Sequence, residues 1–417
     1  MNETTVHESV TAWAASGAMG LTGRADAPPL GPPALLGARL RRVAWLLERR
    51  SAQLGHRVAL DPLALLGERA AIAGLHRNGT RSCGGATRLL RARDGWMAVT
   101  LARPDDVELV PAWLELELSP RGDPWPVIER VLRERAAAEI LERGLLVGLP
   151  LAVLPARPPR PSPPAPLANL PLTAQRVGDH PPTPELVDVV VIDMSGLWAG
   201  PLCGSLLALA GAEVIKLEST RRPDGARRGP GRFFDLLNAG KQSVALDFTS
   251  RPGRQALHGM IERADVVIEG SRPRAVEQLG VDAEASVRRD RPRIWVAITG
   301  HGRTGSGRDR VAFGDDAAVA GGLVVWDGSE PCFCADAVAD PVAGLVAATA
   351  CLDALAVGGR WILDVALAGV AADLSGPTVP TAPDLEVAPP WARHVSEPGP
   401  TLGAHTRRVL ERWGLAA

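Results

Sequence analysis

Between residues 187 and 299 the chain alternates short apolar runs with longer amphipathic ones. Val187–Met194 (VDVVVIDM), Glu213–Glu218, Ala264–Glu269 and Arg293–Thr299 are rich in β-branched residues and carry little polar alternation, the pattern of strands buried on both faces. Helical stretches lie between them, at PLCGSLLALAGA and near Arg254–Ala264. Strands alternating with helices imply right-handed crossovers and a parallel sheet covered by helices, with ligands at the carboxyl ends of the strands. Beyond residue 317 the pattern turns helical and alanine-rich. In the first 150 residues, 35–50, 62–76 and 126–144 read as helices, and 88–101 as a hairpin turning at Asp94-Gly95.

A proline-dense stretch separates these two regimes. It predicts a semi-rigid linker over 155–185 between an N-terminal part, 1–154, and a large domain, 186–375, followed by a tail, 376–417. The net charge of −1 gives no bulk attraction to nucleic acid or to an anionic membrane. No uninterrupted apolar run reaches the ~20 residues of a bilayer span. The polar N-terminus and five scattered cysteines predict a reduced, cytoplasmic chain without a disulfide framework. Tyrosine is absent and lysine occurs only at Lys216 and Lys241, both within the segment read as nucleotide-binding.

Four features bear on chemistry. The turn Ser195-Gly196-Leu197-Trp198-Ala199-Gly200-Pro201 ends the first strand and opens a helix. It suits either a phosphate, through backbone amides at a helix N-terminus, or a plain βα connection. Arg221, Arg222, Arg227, Arg228 and Arg232 follow the second strand and form either a phosphate-recognising or a solvated basic loop. Asp340 precedes Pro341 at the start of an apolar helix, as an N-cap or as a carboxylate nucleophile. Cys332 and Cys334 lack a second ligand pair at zinc spacing and read as buried thiols, so no metal is expected.

Six stretches in order resemble the family III CoA-transferases, the group of formyl-CoA and carnitine CoA-transferases that includes α-methylacyl-CoA racemase. They are VVVIDMSGLWAGPLCGSLLALAGAEVIKLE, LLNAGKQSVALDF, RADVVIEGSRPRAVEQLGVD, RPRIWVAITGHGRTG, FGDDAAVAGGL and AVADPVAGLVAATACLDAL. The C-terminal PTLGAHT with RRVLERWGL is similar to that family's tail. In the N-terminal part, SGAMGLTGRADAPPL and RNGTRSCGGATRLLRARDGWMAV resemble the family's middle, so a small domain precedes the large one instead of being inserted after the catalytic helix. Residues 13–65 resemble a degenerate copy of 320–367 that lacks a counterpart of Asp340.

The resemblance implies an α/β fold, with a Rossmann-like parallel-sheet large domain and a smaller α+β domain. It implies coenzyme A, as an acyl-CoA substrate, and a carboxylic acid partner. Asp340 matches the nucleophile and Gly84-Gly85 the loop that closes over the intermediate. Leu197, Trp198, Ala199, Arg227 and Leu246 match contacts to CoA. Gly270, Ser271 and Gln278 depart from the family pattern there, with Arg272 and Arg274 as the nearby cations. Asp315 stands where the racemase branch has a histidine, which lowers that reading and leaves Asp315 as a substitute acid or base. A non-catalytic CoA-binding descendant is the third reading. The domain order implies a compact, non-interlocked unit, either a pseudo-dimeric monomer or a homodimer, with the site between Asp340 and Gly84-Gly85.

Overall fold

The protein is described by a computed structural model covering residues 3–117, 122–157, 159, 167–382 and 384–415. Six parallel strands form its centre: β5 (Val190–Asp193), β6 (Glu213–Ser219), β7 (Gln242–Leu246), β8 (Val266–Glu269), β9 (Ile294–Thr299) and β12 (Arg360–Ala366). A short antiparallel strand, β4 (Thr173–Gly178), pairs with β12 and closes one edge. The sheet order β4-β12-β9-β8-β5-β6-β7 places the first-formed parallel strand, β5, beside the fourth, β8. Chain direction across the sheet reverses at that pair, so a crevice opens above the β5 and β8 carboxyl ends. β8 and β9 are buried along their whole length, as their unbroken apolar sequences require.

Helices α8 (Ala199–Leu209), α9 (Gly231–Asn238), α10 (Arg251–Ile261), α11 (Pro273–Gln278) and α12 (Ala283–Arg289) connect the strands. Ser250 caps α10 by accepting the Gly253 amide at 3.0 Å, with Pro252 in its first turn. α13 (Gly314–Ala320), α14 (Ala339–Val357) and α15 (Leu367–Leu374) follow, and α16 (Thr406–Arg412) ends the chain against β7. α14 is long and apolar enough to span a bilayer, contrary to the expectation from uninterrupted runs, yet it is buried almost all round inside the protein.

The small sheet holds β1 (Thr87–Arg91), β2 (Trp96–Thr100) and β3 (Leu151–Val153), in that order. The hairpin turns at Asp94-Gly95 as expected, with the Ala92 amide on the Gly95 carbonyl. Helices α4 (Pro104–Glu108), α5 (Val110–Leu114), α6 (Trp125–Glu134) and α7 (Ala137–Val147) build its core around Trp113, Ile128 and Ile140. The single helix expected over 126–144 is two. Arg135 and Ala136 are extended, and the Asp94 carboxylate accepts the Ala137 amide at 2.8 Å to start α7.

Packing also divides residues 1–154 differently from the sequence. α1 (Glu3–Ala15), α2 (Leu36–Leu54) and α3 (Glu68–Ala73) join the core of the large body, where Trp13, Leu40 and Leu47 belong to one cluster with Leu345 and Leu352. α2 lies on α14, and Arg50 reaches Asp353 at 2.6 Å. The linker reading fails over its second half. Leu167, Leu170 and Leu172 are core residues and 173–178 is the edge strand β4; residues 158 and 160–166 of that stretch lie outside the described residues. Two more strands, β10 (Val325–Asp327) and β11 (Glu330–Cys332), form a hairpin leading toward α14.

Candidate active site

Asp340 stands in the first turn of α14, preceded by a tightly folded segment. Ala335 and Ala337 both adopt left-handed backbone (φ 55° and 43°), a costly conformation for alanine that the surroundings hold in place. Thr22 Oγ1 accepts the Ala335 amide at 3.0 Å, and Asp315 Oδ1 accepts the Ala337 amide at 3.1 Å. Asp336 between them is fully buried and takes a forked pair of bonds from Arg69, with Nε at 2.8 Å from Oδ2 and Nη2 on Oδ1. The α13 N-terminus closes in from the other side. A Cβ on Gly314 would sit 2.6 Å from Asp340 Oδ2 and 2.4 Å from the Ala337 carbonyl, so only glycine permits this approach. The Gly314 backbone lies beside the Asp340 carboxyl and favours its charged form.

Asp315, Asp316 and Asp336 are buried, whereas Asp340 keeps partial solvent contact and 30% of the Arg69 side chain is exposed. Burial pushes the Asp340 carboxyl up to about 7; Arg69 opposes that rise, and Asp315 and Asp336 add to it. Burial likewise pushes Asp315 up to about 6, and Asp316 up to about 7. Asp316 acts within the scaffold: its Oδ1 accepts from the Phe313 amide (2.9 Å) and Thr100 Oγ1 (3.1 Å), which ties the α13 N-terminus to β2.

Gly84 stands against the same arginine, and Gly85 against Arg81. An added Cβ on Gly84 would lie 3.2 Å from Arg69 Nη2, and Gly85, at φ 79°, would place one 2.9 Å from Arg81 Nη2. The Gly85 amide closes a tight turn on the Ser82 carbonyl at 2.8 Å. Neighbouring Cys83 bonds weakly to the Leu21 and Ala335 carbonyls, and burial holds its thiol well above its usual range, so it stays protonated.

The turn after β5 completes the surround. Leu197 is exposed and left-handed (φ 67°), its amide held by Asp224 Oδ1 at 2.8 Å. Trp198 is buried with Phe233 edge-on at 5.2 Å and the Arg69 guanidinium 5.5 Å above its ring. An added Cβ on Gly344, one turn beyond Asp340, would meet the Ala199 carbonyl at 2.6 Å, which brings this turn against α14. Ser195 and Gly270 face each other across the β5–β8 crevice, with a Gly270 Cβ 3.5 Å from Ser195 Cβ.

Four expected positions stand differently. Lys216 and Lys241 are not surface cations for a phosphate. Both are fully buried, Lys216 on Asp224 (2.8 Å) and the Ser195 carbonyl (3.0 Å), Lys241 on Asp193 (2.9 Å) and the Pro201 carbonyl (2.8 Å). They brace the turn from below. Arg227 gives Nε and Nη2 to Glu218 and Nη1 to the Pro400 carbonyl, and it stacks on Phe234, so each nitrogen already has a protein acceptor. Leu246 is 4% exposed in the apolar cluster with Leu257 and Met260, and offers no open face. Arg222, Arg228, Arg232, Arg272 and Arg274 are exposed, and Arg221 pairs with Asp247. Sequence reading missed Arg69 and Asp336, since neither stands in a motif it singled out. Two cavities of about 270 Å³ lie elsewhere, one beside α10 and α12 and one lined by His301 and Arg310. Among the described residues no three His, Cys, Asp or Glu side chains are grouped to hold a metal ion.

The doubly wound α/β sheet thus carries a buried carboxyl cluster at a helix N-terminus with a glycine turn beside it. Residues 186–406 match CoA-transferase family III, and the chain belongs to that family. It is 34% identical over 151 residues to the succinyl-CoA–D-citramalate CoA-transferase of Chloroflexus aurantiacus, covering 34% of this chain and 37% of the relative. It is 31% identical over 185 residues to the (R)-2-hydroxy-4-methylpentanoate CoA-transferase of Clostridioides difficile, covering 41% and 46%. The chain therefore spans less than half the length of these curated relatives. A CAIB/BAIF family protein from Brucella suis aligns in structure with a TM-score of 0.41 and 29% identity, over 45% of this chain and 54% of that one.

Proposed function

We propose that the protein moves CoA between an acyl-CoA thioester and a carboxylic acid, with Asp340 as covalent nucleophile. The observation that supports this most is the position of Asp340. It is the carboxylate of its cluster with solvent contact, and it sits beside a cation, a glycine turn and the β5–α8 turn.

The Asp340 carboxylate attacks the thioester carbonyl, the C–S bond breaks, and CoA leaves as thiolate from an acyl-aspartyl anhydride. The thiolate attacks the aspartyl carbonyl, releasing the donor acid and leaving an aspartyl-CoA thioester. The acceptor carboxylate attacks that thioester and expels thiolate again. Attack of the thiolate on the new acyl carbonyl gives the product thioester and frees Asp340. Every step exchanges one acyl bond for another, so no ATP is consumed. The Gly84 amide supplies a donor for the tetrahedral oxyanions, and the loop shields the anhydride from water. CoA enters over Leu197–Ala199, with exposed Arg222, Arg228, Arg272 and Arg274 as cations for its phosphates in place of Arg227.

Asp340→Asn is expected to abolish the covalent adduct seen by intact-protein mass with an acyl-CoA panel, while leaving CoA affinity near wild type. A variant that still turned over at the wild-type rate would refute the mechanism. The Asp315–Asp340 pairing favours a second reading, acid/base racemisation at Cα. Incubation in D2O separates the two, because racemisation incorporates deuterium at Cα without any acceptor acid.

A further inference from the structure

The cavity of about 270 Å³ lined by His301 and Arg310 lies at the seam between the small body and the large one, and none of its lining residues belongs to the Asp340 cluster. Its walls are apolar. Leu141 of α7 and Val153 of β3 come from the small body, and Ala320 of α13 and Ala372 of α15 from the large one. His301 and Arg310 both stand on the loop that follows β9. That loop is seated on the fold: the Gly300 carbonyl accepts the Ala368 amide of α15 at 3.0 Å, and the Arg310 amide closes a turn on the Gly307 carbonyl at 3.1 Å.

Arg310 spans the seam, giving Nη2 to the Leu151 carbonyl of β3 at 3.1 Å. Among the described residues it makes no other bond and no ion pair, and its Nε is buried without a partner. Asp316 is the carboxyl that acts on it, but Asp316 Oδ1 is committed to the Phe313 amide and Thr100 Oγ1. His301 Nε2 is likewise buried without a partner. Burial, helped by Arg310, pushes the His301 ring down to about 4, so it is neutral near pH 7 and has one ring N–H to donate. Buried donors left unbonded are costly, and here two of them share a cavity whose lining holds no carboxylate.

We propose that this seam binds a short-chain monocarboxylate at a site distinct from Asp340, its carboxylate on Arg310 and His301 Nε2 and its apolar end against Leu141, Val153 and α15. The charge selects an anion, and the planar guanidinium suits a carboxylate. The apolar walls select a hydrocarbon tail. The volume lies just below the roughly 300–1,000 Å³ of drug-sized ligand pockets, which admits a small acid and excludes a molecule the size of CoA. A bound acid would tie the small body to α13, whose far end, Gly314, stands against Asp340. Ala320 lies ~9 Å from Gly314 along that helix.

The test reads binding and needs no turnover. Isovalerate is titrated into the full chain and followed by saturation-transfer NMR, with isovaleramide as the uncharged control. Saturable binding of the acid is expected, with the amide about 10- to 100-fold weaker, the range of a lost hydrogen bond to a charged group. R310Q is expected to weaken isovalerate by the same factor, and A372L to abolish binding by filling the cavity. Circular dichroism checks that each variant is folded, and if R310Q does not fold, A372L decides. D340N is expected to bind isovalerate as wild type does, with or without saturating acetyl-CoA. No saturable binding to wild type, or equal binding to folded A372L, overturns the proposal. Loss of binding in D340N, or displacement by acetyl-CoA, would assign the acid to the Asp340 site and overturn it too. The reaction proposed for Asp340 is judged separately, by its covalent adduct.

Discussion

Gly314→Ala separates the packing of the site from the stability of the fold. The backbone at 314 is not left-handed and begins α13, so alanine is conformationally acceptable there and favours the helix by ~0.5–1 kcal/mol. The obstacle is space. The new Cβ would lie 2.4 Å from the Ala337 carbonyl and 2.6 Å from Asp340 Oδ2, against an ordinary contact of 3.4 Å or more. Something must yield by about 0.8–1.0 Å, the difference between those distances. The Asp340 side chain can turn away from its contact, whereas the contact with the Ala337 carbonyl is relieved only by a shift of α13 or of backbone that the Asp315 bond holds left-handed. Overpacking of this size costs ~1–3 kcal/mol, and the helix gain offsets part of it. A nucleophile displaced by about 1 Å loses on the order of 100-fold in rate. We therefore expect G314A to remain folded, with a modestly lower urea midpoint, while adduct formation with acyl-CoA slows about a hundredfold. Wild-type adduct kinetics together with a wild-type midpoint would refute the close approach of Gly314 to Asp340.

Two further outcomes follow from buried charge. The Asp316 carboxyl is pushed up to about 7 in the folded state, and its Oδ2 has no partner. The folded protein therefore holds a proton there that the unfolded chain has released. This group's contribution is most favourable below pH ~4 and is lost as pH rises toward 7. D316N keeps the Oδ1 acceptor without the charge, so it is expected to flatten the stability profile between pH 5 and 8 and to gain a few kcal/mol at pH 8; identical pH dependence of the urea midpoints in both proteins would count against this. Arg227→Ala is expected to cost about 3–5 kcal/mol by leaving buried Glu218 unpaired, and to loosen the tail at Pro400 toward proteolysis. An unchanged stability with a raised KM for acyl-CoA would return Arg227 to the nucleotide.

The strands at 190–193, 213–219, 266–269 and 294–299 were legible because burial on both faces removes polar alternation. β12 was not, since RWILDVA follows the apolar α14 with only Gly358-Gly359 between them. β4 was hidden for the opposite reason: TAQRVG is an exposed edge whose partner supplies the register, and its proline-rich approach reads as linker. Asp340 and the Gly84 turn were visible through their sequence neighbours. Arg69 was not, because an arginine in an arginine-rich chain gains meaning only from what lies across from it, here Asp336, 267 residues away. The same limit misplaced Arg227 and the two lysines. A basic residue near a βα turn looks the same in sequence whether it faces solvent or, like Lys216, an internal carboxylate.

The packing of α2 on α14 has a consequence for how the chain is made. The apolar face of α2 is complete by Leu54, but α14 begins only at Ala339. At ~5–20 residues per second, about 15–60 seconds of synthesis separate the two. Throughout that interval the face of α2 that packs on α14 lacks that partner, while the hairpin at 87–100 and its helices already have theirs. The small body can thus form on the ribosome while the segments bearing Arg69 and Asp340 wait for each other, so the pocket around Asp340 arises late, in one closing step between segments almost 300 residues apart.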